Sequence, residues 1–256
     1  MRDGLPKVGA RLVLDAGNTR VKWAFVNDGV FVASGAVPTQ DPDALAAQWG
    51  DLPPLQGTRT LACSVAGPAV RERIGALVAA HTATDVVWFA STERCAGVYN
   101  RYDRPTQLGA DRWAAMVGAR ARTDDPVVVV NAGTAITVDA LASTGEFLGG
   151  LILPGVGVML DALAQRTAGL QSAPGRVSEF PRNTADAMTS GAFDAAAGAV
   201  VRMVGRLAAR EGAPARVLLS GGSAPTLVPG MPEGTLRVEH LVLEGLLVAD
   251  VSEVFR

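Results

Sequence analysis

The sequence has little lysine, little net charge and no long apolar run. The charge balance and the missing apolar run each argue against a class of partner. Lys7 and Lys22 are the only lysines among 23 basic residues, and the formal net charge is -2. This balance favours neither nucleic acid nor an anionic membrane as a partner. No apolar run approaches the roughly 18 residues that a membrane-spanning helix requires. Residues 1–10 carry charges and Pro6 where a secretory leader needs an apolar core, so we expect a cytoplasmic protein.

Cysteine and histidine are also scarce, which argues against a zinc motif or a disulfide framework. Cys63 and Cys95 are too few and too far apart for either, and we expect both to be packing residues in a reducing compartment. His81 and His240 lack partners at the spacing of a metal site or a catalytic triad, so we expect both to be structural. The sequence contains no Gly-Lys-Ser or Gly-Lys-Thr, which excludes a P-loop kinase.

What the chain does have is an apolar composition and a strand-turn-strand segment near its start. Its 256 residues are 48% hydrophobic, enough for one large domain or two modest ones. Residues 12–26 predict a buried strand, a sharp turn and a second strand. Gly17 and Asn18 tolerate the backbone angles that we expect in such a turn. The carboxylate of Asp15, the free backbone and Lys22 are typical of a phosphate-binding loop, although a plain hairpin has the same pattern.

A second segment repeats this plan. Residues 127–139 contain an apolar run, then Asn131, Ala132, Gly133 and Thr134, and then a second strand. Two such hairpins predict two similar halves that face each other across a cleft, with both turns binding one polyphosphate. Chance repetition is the alternative, because alanine and glycine are abundant in this chain.

The rest of the chain predicts a mixed α/β protein. Strands are expected at residues 30–37, 60–65, 85–89, 146–153 and 217–220, and helices at 43–49, 68–80, 106–121, 158–169, 183–210 and 242–254. We expect an irregular polar loop at residues 99–105 and a connector at residues 172–182. A meander followed by strand-helix-strand indicates an α/β domain rather than a sandwich.

Four short blocks then occur in a characteristic order. They are Asp15-Ala16-Gly17-Asn18-Thr19, Gly109-Ala110-Asp111-Arg112, Asn131-Ala132-Gly133-Thr134-Ala135 and Ser220-Gly221-Gly222. Tyr102 lies nine residues before Asp111, and Asn183-Thr184 heads the long predicted helix. In these blocks the chain resembles the type III pantothenate kinases over essentially its whole length. The Gly-Ala-Asp-Arg block is the most specific part of the resemblance.

The resemblance implies a fold, a reaction and partners. The fold class is α/β, with two duplicated ribonuclease-H-like (actin-like ATPase) domains around an ATP cleft, here placed at residues 1–118 and 119–256. The reaction is the phosphorylation of pantothenate by ATP, the first step of coenzyme A biosynthesis. Magnesium accompanies ATP, and a monovalent cation, potassium or ammonium, assists. The enzyme is expected to be a homodimer without a nucleic-acid or membrane partner.

The same resemblance assigns roles to individual residues. The ATP-binding residues would be Asp15, Ala16, Gly17, Asn18, Thr19, Arg20, Val21, Lys22 and Thr134. The pantothenate-binding residues would be Tyr102, Gly109, Ala110, Asp111, Arg112 and Thr184. Asp111 would also be the catalytic base, and Asp15 would lie close to magnesium, in indirect contact. The chemistry agrees, because phosphoryl transfer needs one oriented base, and an arginine can bind the substrate carboxylate in a bidentate fork. A solvated charge pair at the helix start is the alternative for Asp111 and Arg112.

Two positions depart from the family pattern. The family usually has aspartate where this chain has Asn131, so we expect weaker binding of potassium or ammonium there. Arg104 stands where asparagine is more common.

Three other readings concern assembly and function. Small residues on the long helix, Ala192, Ala195 and Ala199, predict a symmetric dimer contact. The first functional alternative is a kinase or phosphatase of the same superfamily that acts on a sugar, a polyphosphate or another small hydroxylated substrate. The second is an accessory factor for a transcriptional activator.

Overall fold

A computed structural model of the chain describes residues 5–166 and 175–252. The strands are β1 (Arg11–Ala16), β2 (Arg20–Asn27), β3 (Val30–Pro38), β4 (Arg59–Ser64), β5 (Val86–Trp88), β6 (Arg94–Cys95), β7 (Val98–Asn100), β8 (Val127–Ala132), β9 (Ala135–Leu141), β10 (Glu146–Pro154), β11 (Arg216–Ser220) and β12 (Leu236–Arg237). The helices are α1 (Ala44–Trp49), α2 (Pro68–Thr82), α3 (Ala110–Arg122), α4 (Val156–Arg166), α5 (Thr184–Glu211), α6 (Ala224–Leu227) and α7 (Leu241–Val251).

These elements form two compact units. Unit 1 comprises Met1–Asp124 and His240–Arg256, and unit 2 comprises Asp125–Glu239. In unit 1 the sheet order is β3-β2-β1-β4-β5, antiparallel from β3 to β1 and parallel from β1 to β5. The central strand β1 is buried on both faces, because helices and neighbouring strands cover it, and this fixes the position of the turn that follows.

Unit 2 repeats the strand order of unit 1. Its strands lie in the order β10-β9-β8-β11-β12, again with an antiparallel meander followed by parallel neighbours. A shared order of five strands is not explained by two chance alanine-glycine turns. The predicted fold class, a duplicated ribonuclease-H-like α/β fold, is confirmed.

The boundary between the units differs from the predicted division at residue 118. Helix α3 continues to Arg122, and α7 packs against α3. A Cβ on Gly245 would lie 1.8 Å from the carbonyl oxygen of Ala114, so the two helix backbones approach closely. Arg122 donates from Nε and Nη2 to the two carboxylate oxygens of Glu244 at 2.6 and 2.7 Å. These contacts place the C-terminal helix in unit 1 rather than in the second half.

Most predicted elements are confirmed. The loop predicted at residues 99–105 includes β7, which pairs with β6 across a turn in which Ala96 and Gly97 both have positive φ. The expected ends of the helices at residues 158–169 and 242–254 lie partly outside the described residues, as does the start of the connector at 172–182. The long helix is capped as predicted, because the Asn183 side chain accepts from the backbone N–H of Asp186 and Gly212 adopts the left-handed conformation.

The described residues contain no helix with the length and apolar character needed to span a membrane.

Candidate active site

The first hairpin places three side chains in one row across the sheet of unit 1. Asp15 lies near the end of β1, paired with Lys22 on β2 and with Cys63 on β4. Residues paired directly across neighbouring strands project to the same face of a sheet. Lys22, Asp15 and Cys63 therefore form a row, with the carboxylate between the ammonium and the thiol.

Asp15 is held in an environment that disfavours its charge. The residue is 7% exposed, and the Cys63 thiol donates to its Oδ1 over 3.5 Å. Burial raises the pKa of Asp15 to about 6, the positive charge of Lys22 opposes this rise, and the negative charge of Asp111 adds to it. Burial and the two carboxylates also raise the pKa of Cys63 well above its usual range, so the thiol keeps its proton and can donate it. Cys63 is thus more than the packing residue that its isolation in the sequence predicted.

The turn after Asp15 lies at the surface. The N–H of Gly17 donates to the carbonyl of Arg20 at 3.1 Å, and Asn18, Thr19 and Arg20 are exposed. Ala16 and Val21 are fully buried, in main chain and side chain alike, so the ATP contact expected of them stays a prediction.

The expectation that Gly17 and Asn18 adopt the unusual backbone angles of a sharp turn was wrong, because neither residue has positive φ. Four residues separate the paired Ala16 and Val21, which is enough for a reversal with ordinary angles.

Thr39 anchors this turn from outside the motif. Its Oγ1 donates to the Gly17 carbonyl at 2.7 Å, and its N–H donates to the Thr19 carbonyl at 3.0 Å. Thr39 is buried directly after β3. Sequence reasoning missed this residue, since the contact depends on how β3 pairs with β2.

The start of α3 brings the second group of expected residues together. Asp111 lies in the first turn, and the N–H of Arg112 donates to its Oδ1 at 2.8 Å. A Cβ on Gly109 would lie 2.6 Å from Asp111 Oδ1, which explains why glycine precedes the helix. Burial raises the pKa of Asp111, while the Arg112 hydrogen bond and charge and the charge of Lys22 act against that rise. Asp111 therefore shares an electrostatic environment with the phosphate-loop candidate.

Arg112 is buried and joined to Tyr102. It is 5% exposed, its Nη1 donates to Tyr102 Oη at 2.9 Å, and its guanidinium carbon lies 5.7 Å from the centre of the tyrosine ring. A solvated charge pair is therefore excluded. The planar guanidinium has five donors in a fixed fork, a geometry that suits a carboxylate.

The end of β4 connects the two groups. The N–H groups of Val65 and Ala66 donate to the carbonyl of Ala16 at 3.0 and 3.3 Å. The Cγ1 of Val65 lies 3.6 Å from the Cβ position of Gly109. The segment from Cys63 to Ala66 thus touches both the first turn and the start of α3.

Comparison with known proteins identifies the family. A protein-family model described as Type III pantothenate kinase matches residues 11–206. The type III pantothenate kinase of Aromatoleum aromaticum is 47% identical over 237 residues, covering 93% of this chain and 96% of the relative. That of Thiobacillus denitrificans is 45% identical over 238 residues, covering 93% and 95%.

The chain belongs to the type III pantothenate kinase family.

Solved structures with lower identity share the fold of this chain. A Campylobacter jejuni protein described as a Baf family transcriptional activator has a TM-score of 0.59 at 19% identity, covering 91% of this chain and 94% of that one. A Sinorhizobium meliloti protein described as a 2-dehydro-3-deoxygalactonokinase has a TM-score of 0.57 at 13% identity, covering 93% and 97%. At such identities the likeness concerns the fold alone.

In this type III pantothenate kinase, unit 2 carries the second hairpin. Asn131 pairs with Thr137 on β9 and with Ser220 on β11, which is the counterpart of the row in unit 1. Thr134 is exposed in the turn, and its carbonyl accepts from the N–H of Gly155 at 2.8 Å. Three residues separate Ala132 from its partner Ile136 in the second turn, whereas four separate Ala16 from Val21 in the first. The second turn is therefore one residue shorter.

Two further segments of unit 2 belong to the family motifs. Gly221 has φ of 100°, and a Cβ there would lie 2.2 Å from the Ala132 carbonyl oxygen, so glycine is required beside the second turn. Thr184 is the exposed first residue of α5. The roles expected for Thr134, Asn131 and Thr184 stay predictions.

Proposed function

We propose that the protein transfers the terminal phosphoryl group of ATP to pantothenate, forming 4'-phosphopantothenate for coenzyme A biosynthesis. The observation that carries this proposal is Asp111, oriented by the N–H of Arg112 and coupled electrostatically to Asp15 and Lys22. Unit 1 therefore contains both Asp111, which is suited to accept a proton, and Asp15, which lies at the proposed phosphate loop. Membership of the type III pantothenate kinases supplies the substrate class.

The exposed turn of residues 17–20 is the proposed site of the ATP phosphates. Lys22 offers a positive charge next to Asp15, and residues 18–20 of the turn are exposed and would approach the anion. Thr134 of unit 2 is proposed as a further ATP contact. These groups would orient the phosphates and offset their charge, which is the main requirement of phosphoryl transfer.

The residues around Asp15 fit magnesium that arrives with ATP. Within residues 5–166 and 175–252, no cluster of three or more His, Cys, Asp or Glu side chains could hold a metal ion. Magnesium in kinases is commonly held by one or two carboxylates together with substrate phosphates and water. Asp15 would place a carboxylate close to the ion, in indirect contact, and the ion would neutralise charge on the transferred group.

Asp111 and Arg112 would act on pantothenate. Asp111 Oδ1 accepts the Arg112 N–H, which leaves Oδ2 to receive the proton of the attacking hydroxyl. Arg112 would bind the substrate carboxylate, with Tyr102 holding the guanidinium in place. Gly109 and Ala110 would bring the backbone of the helix start to the substrate, and Thr184 is proposed as another contact.

A panel of acceptors tests this function. ATP consumption should be measured with pantothenate, with several sugars and with polyphosphate, in the presence of magnesium and potassium. We expect pantothenate to give the highest kcat/KM by a wide margin. A sugar that exceeds pantothenate would favour another kinase of the same fold. A protein that binds ATP and consumes none with any acceptor would favour the accessory-factor alternative.

We also propose that the enzyme is a homodimer that contacts its partner through unit 2. Helices α4 and α5 border an apolar cavity of about 540 Å³ lined by Val158, Met159, Leu163 and Met188. Of the predicted small-residue face, Ala195 is exposed and Ala199 half-buried, whereas Ala192 is buried within unit 2. An apolar surface of this kind is suited to cover itself in a symmetric contact.

Light scattering at working concentration should give twice the mass of one chain. A Leu163→Glu variant should shift the mass towards the monomer, because it places a charge in the apolar contact. A monomeric mass for the unmodified protein would contradict the homodimer. The cytoplasmic location and the role of potassium or ammonium stay predictions.

A further inference from the structure

We propose that Cys63 is a positioning residue for phosphoryl transfer, which holds the Asp15 carboxylate in one orientation through its thiol. The inference rests on the proposed role of Asp15 beside the magnesium and phosphates of ATP. It assigns a role to a residue that belongs to none of the family's motif blocks.

The first argument is the geometry of the row. Cys63 is paired in register with Asp15, is fully buried, and donates from Sγ to Asp15 Oδ1 over 3.5 Å. A carboxylate has two oxygens, and occupation of Oδ1 leaves Oδ2 as the oxygen that faces a ligand. Lys22 lies on the other side of the row. It is only partly buried, and its four-carbon side chain is flexible. The thiol is therefore the more rigid of the two neighbours that can fix Asp15.

The second argument is the repulsion that Asp15 experiences. Asp111 places another negative charge near it, and bound ATP would add more. Without a donor on its buried side, the carboxylate would be free to rotate away from these charges. A buried hydrogen bond between neighbouring strands limits that rotation without exposing the site to water.

The third argument comes from the internal duplication. In unit 2 the residue paired with Asn131 on the parallel neighbour is Ser220, which is 4% exposed. Ser220 is thus the positional equivalent of Cys63, on β11 rather than β4. Both units place a small, buried side chain with one hydrogen to donate next to the polar residue that begins the turn. A purely apolar packing position would not require a donor in either copy.

The test compares Cys63→Ala, which removes the donor, with Cys63→Ser, which restores one. Two readouts are measured: the magnesium concentration that half-saturates activity, and magnesium binding by calorimetry with a non-hydrolysable ATP analogue and no pantothenate. We expect Cys63→Ala to raise the half-saturating magnesium concentration in both readouts by about 3- to 10-fold, the usual worth of one hydrogen bond. The KM for pantothenate should stay within about two-fold, since the Cys63 thiol donates to Asp15 and to none of the groups proposed to bind pantothenate. Cys63→Ser should return both readouts to near the unmodified values.

Cys95→Ala is the matched control, because Cys95 is the other buried free cysteine and contacts Ser252 instead of a carboxylate. It should leave both magnesium readouts unchanged. If Cys63→Ala folds poorly, as a lowered midpoint of thermal unfolding would reveal, the comparison of Cys63→Ser with the unmodified protein carries the test.

A double variant separates this inference from the proposed role of Asp15. In an Asp15→Asn background, Cys63→Ala should add no further change in magnesium dependence. Wild-type magnesium dependence in Asp15→Asn alone would overturn the role of Asp15 itself. Impaired Asp15→Asn together with an unaffected Cys63→Ala would overturn only the role of Cys63. Equal impairment in Cys63→Ala and Cys63→Ser would show that the position serves packing.

Discussion

Asp15 combines burial with a charge that the fold disfavours. Its pKa is raised to about 6 by burial, so folding takes up a proton at this residue between about pH 4 and 6. A carboxyl group with a raised pKa destabilises the folded state increasingly as the pH rises through that interval. We expect Asp15→Asn to increase the free energy of unfolding by about 3 kcal/mol at pH 8, without magnesium or ATP, and by little at pH 4.

Urea unfolding of both forms at the two pH values measures this difference. A stabilisation that is equal at pH 4 and pH 8 would disagree with a titrating origin. A loss of stability at pH 8 would mean that the contacts of the Asp15 carboxylate with Cys63 and Lys22 outweigh its burial.

Asn131 predicts weak dependence on a monovalent cation. Asparagine keeps one carbonyl oxygen for potassium but lacks the charge of aspartate. A charge about 4 Å from the ion is worth on the order of 4 kcal/mol at an effective dielectric of 20, before the cost of burying it. We expect low activation by potassium in the unmodified protein and stronger activation in Asn131→Asp. Activity is measured against potassium concentration with tris as the replacement cation. Strong, saturable activation that the substitution leaves unaltered would exclude Asn131 from cation binding.

Residues adjacent in the sequence were easier to predict than residues joined by strand pairing. Asp111 and Arg112 follow one another, and Tyr102 lies within the preceding loop, so one motif located all three. Cys63 and Thr39 reach Asp15 and its turn only through the register of β4 and β3. A single sequence does not state which residues of two separate strands lie opposite each other, so neither contact was predicted.

Helices α3 and α7 depend on two glycines at their crossing. A Cβ on Gly245 would lie 1.8 Å from the Ala114 carbonyl oxygen, and one on Gly118 would lie 2.5 Å from that of Leu241. Alanine favours an exposed helix over glycine by about 1 kcal/mol, but here the clash forces the helices apart. We expect Gly245→Ala to destabilise the protein by about 3 kcal/mol or more, measured by urea unfolding.

Gly205 on α5 provides the matched control. It is exposed, and a Cβ there would meet nothing within 4 Å. Gly205→Ala should therefore stabilise the protein by about 0.5–1 kcal/mol. Stabilisation by both substitutions would contradict the close helix contact.

Elements whose ends are marked by capping residues were predicted better than elements without such residues. Asn183 and Gly212 mark the two ends of α5, and the structure places both caps as expected. The hairpin of β6 and β7 is too short for its apolar pattern to stand out, so part of β7 was taken as loop and β6 was not predicted. The helix at residues 242–254 was predicted, but a helix that is apolar on most faces does not indicate which helix it will pack against.

The whole molecule repeats one plan twice, with one exception at its C-terminus. The repeated turns predicted the duplication, and the matching strand orders of the two units support it in three dimensions. The return of residues 240–256 to unit 1 was not predicted, because the linear sequence suggests two consecutive halves. Partly buried ion pairs reinforce that return: Asp250 accepts from Arg11 and Arg59, each at 2.8 Å.

The central claim is that Asp111 accepts the proton while pantothenate attacks ATP. Mass spectrometry of pantothenate incubated with ATP, magnesium, potassium and the protein tests it most directly, with Asp111→Asn compared alongside. Asp103→Asn, at an exposed position beside Tyr102, is the control. We expect 4'-phosphopantothenate from the unmodified protein and the control, and a rate lower by roughly 10²–10⁴-fold in Asp111→Asn with ATP binding retained. No phosphorylated pantothenate from the unmodified protein, or a near-normal rate in Asp111→Asn, would contradict the account.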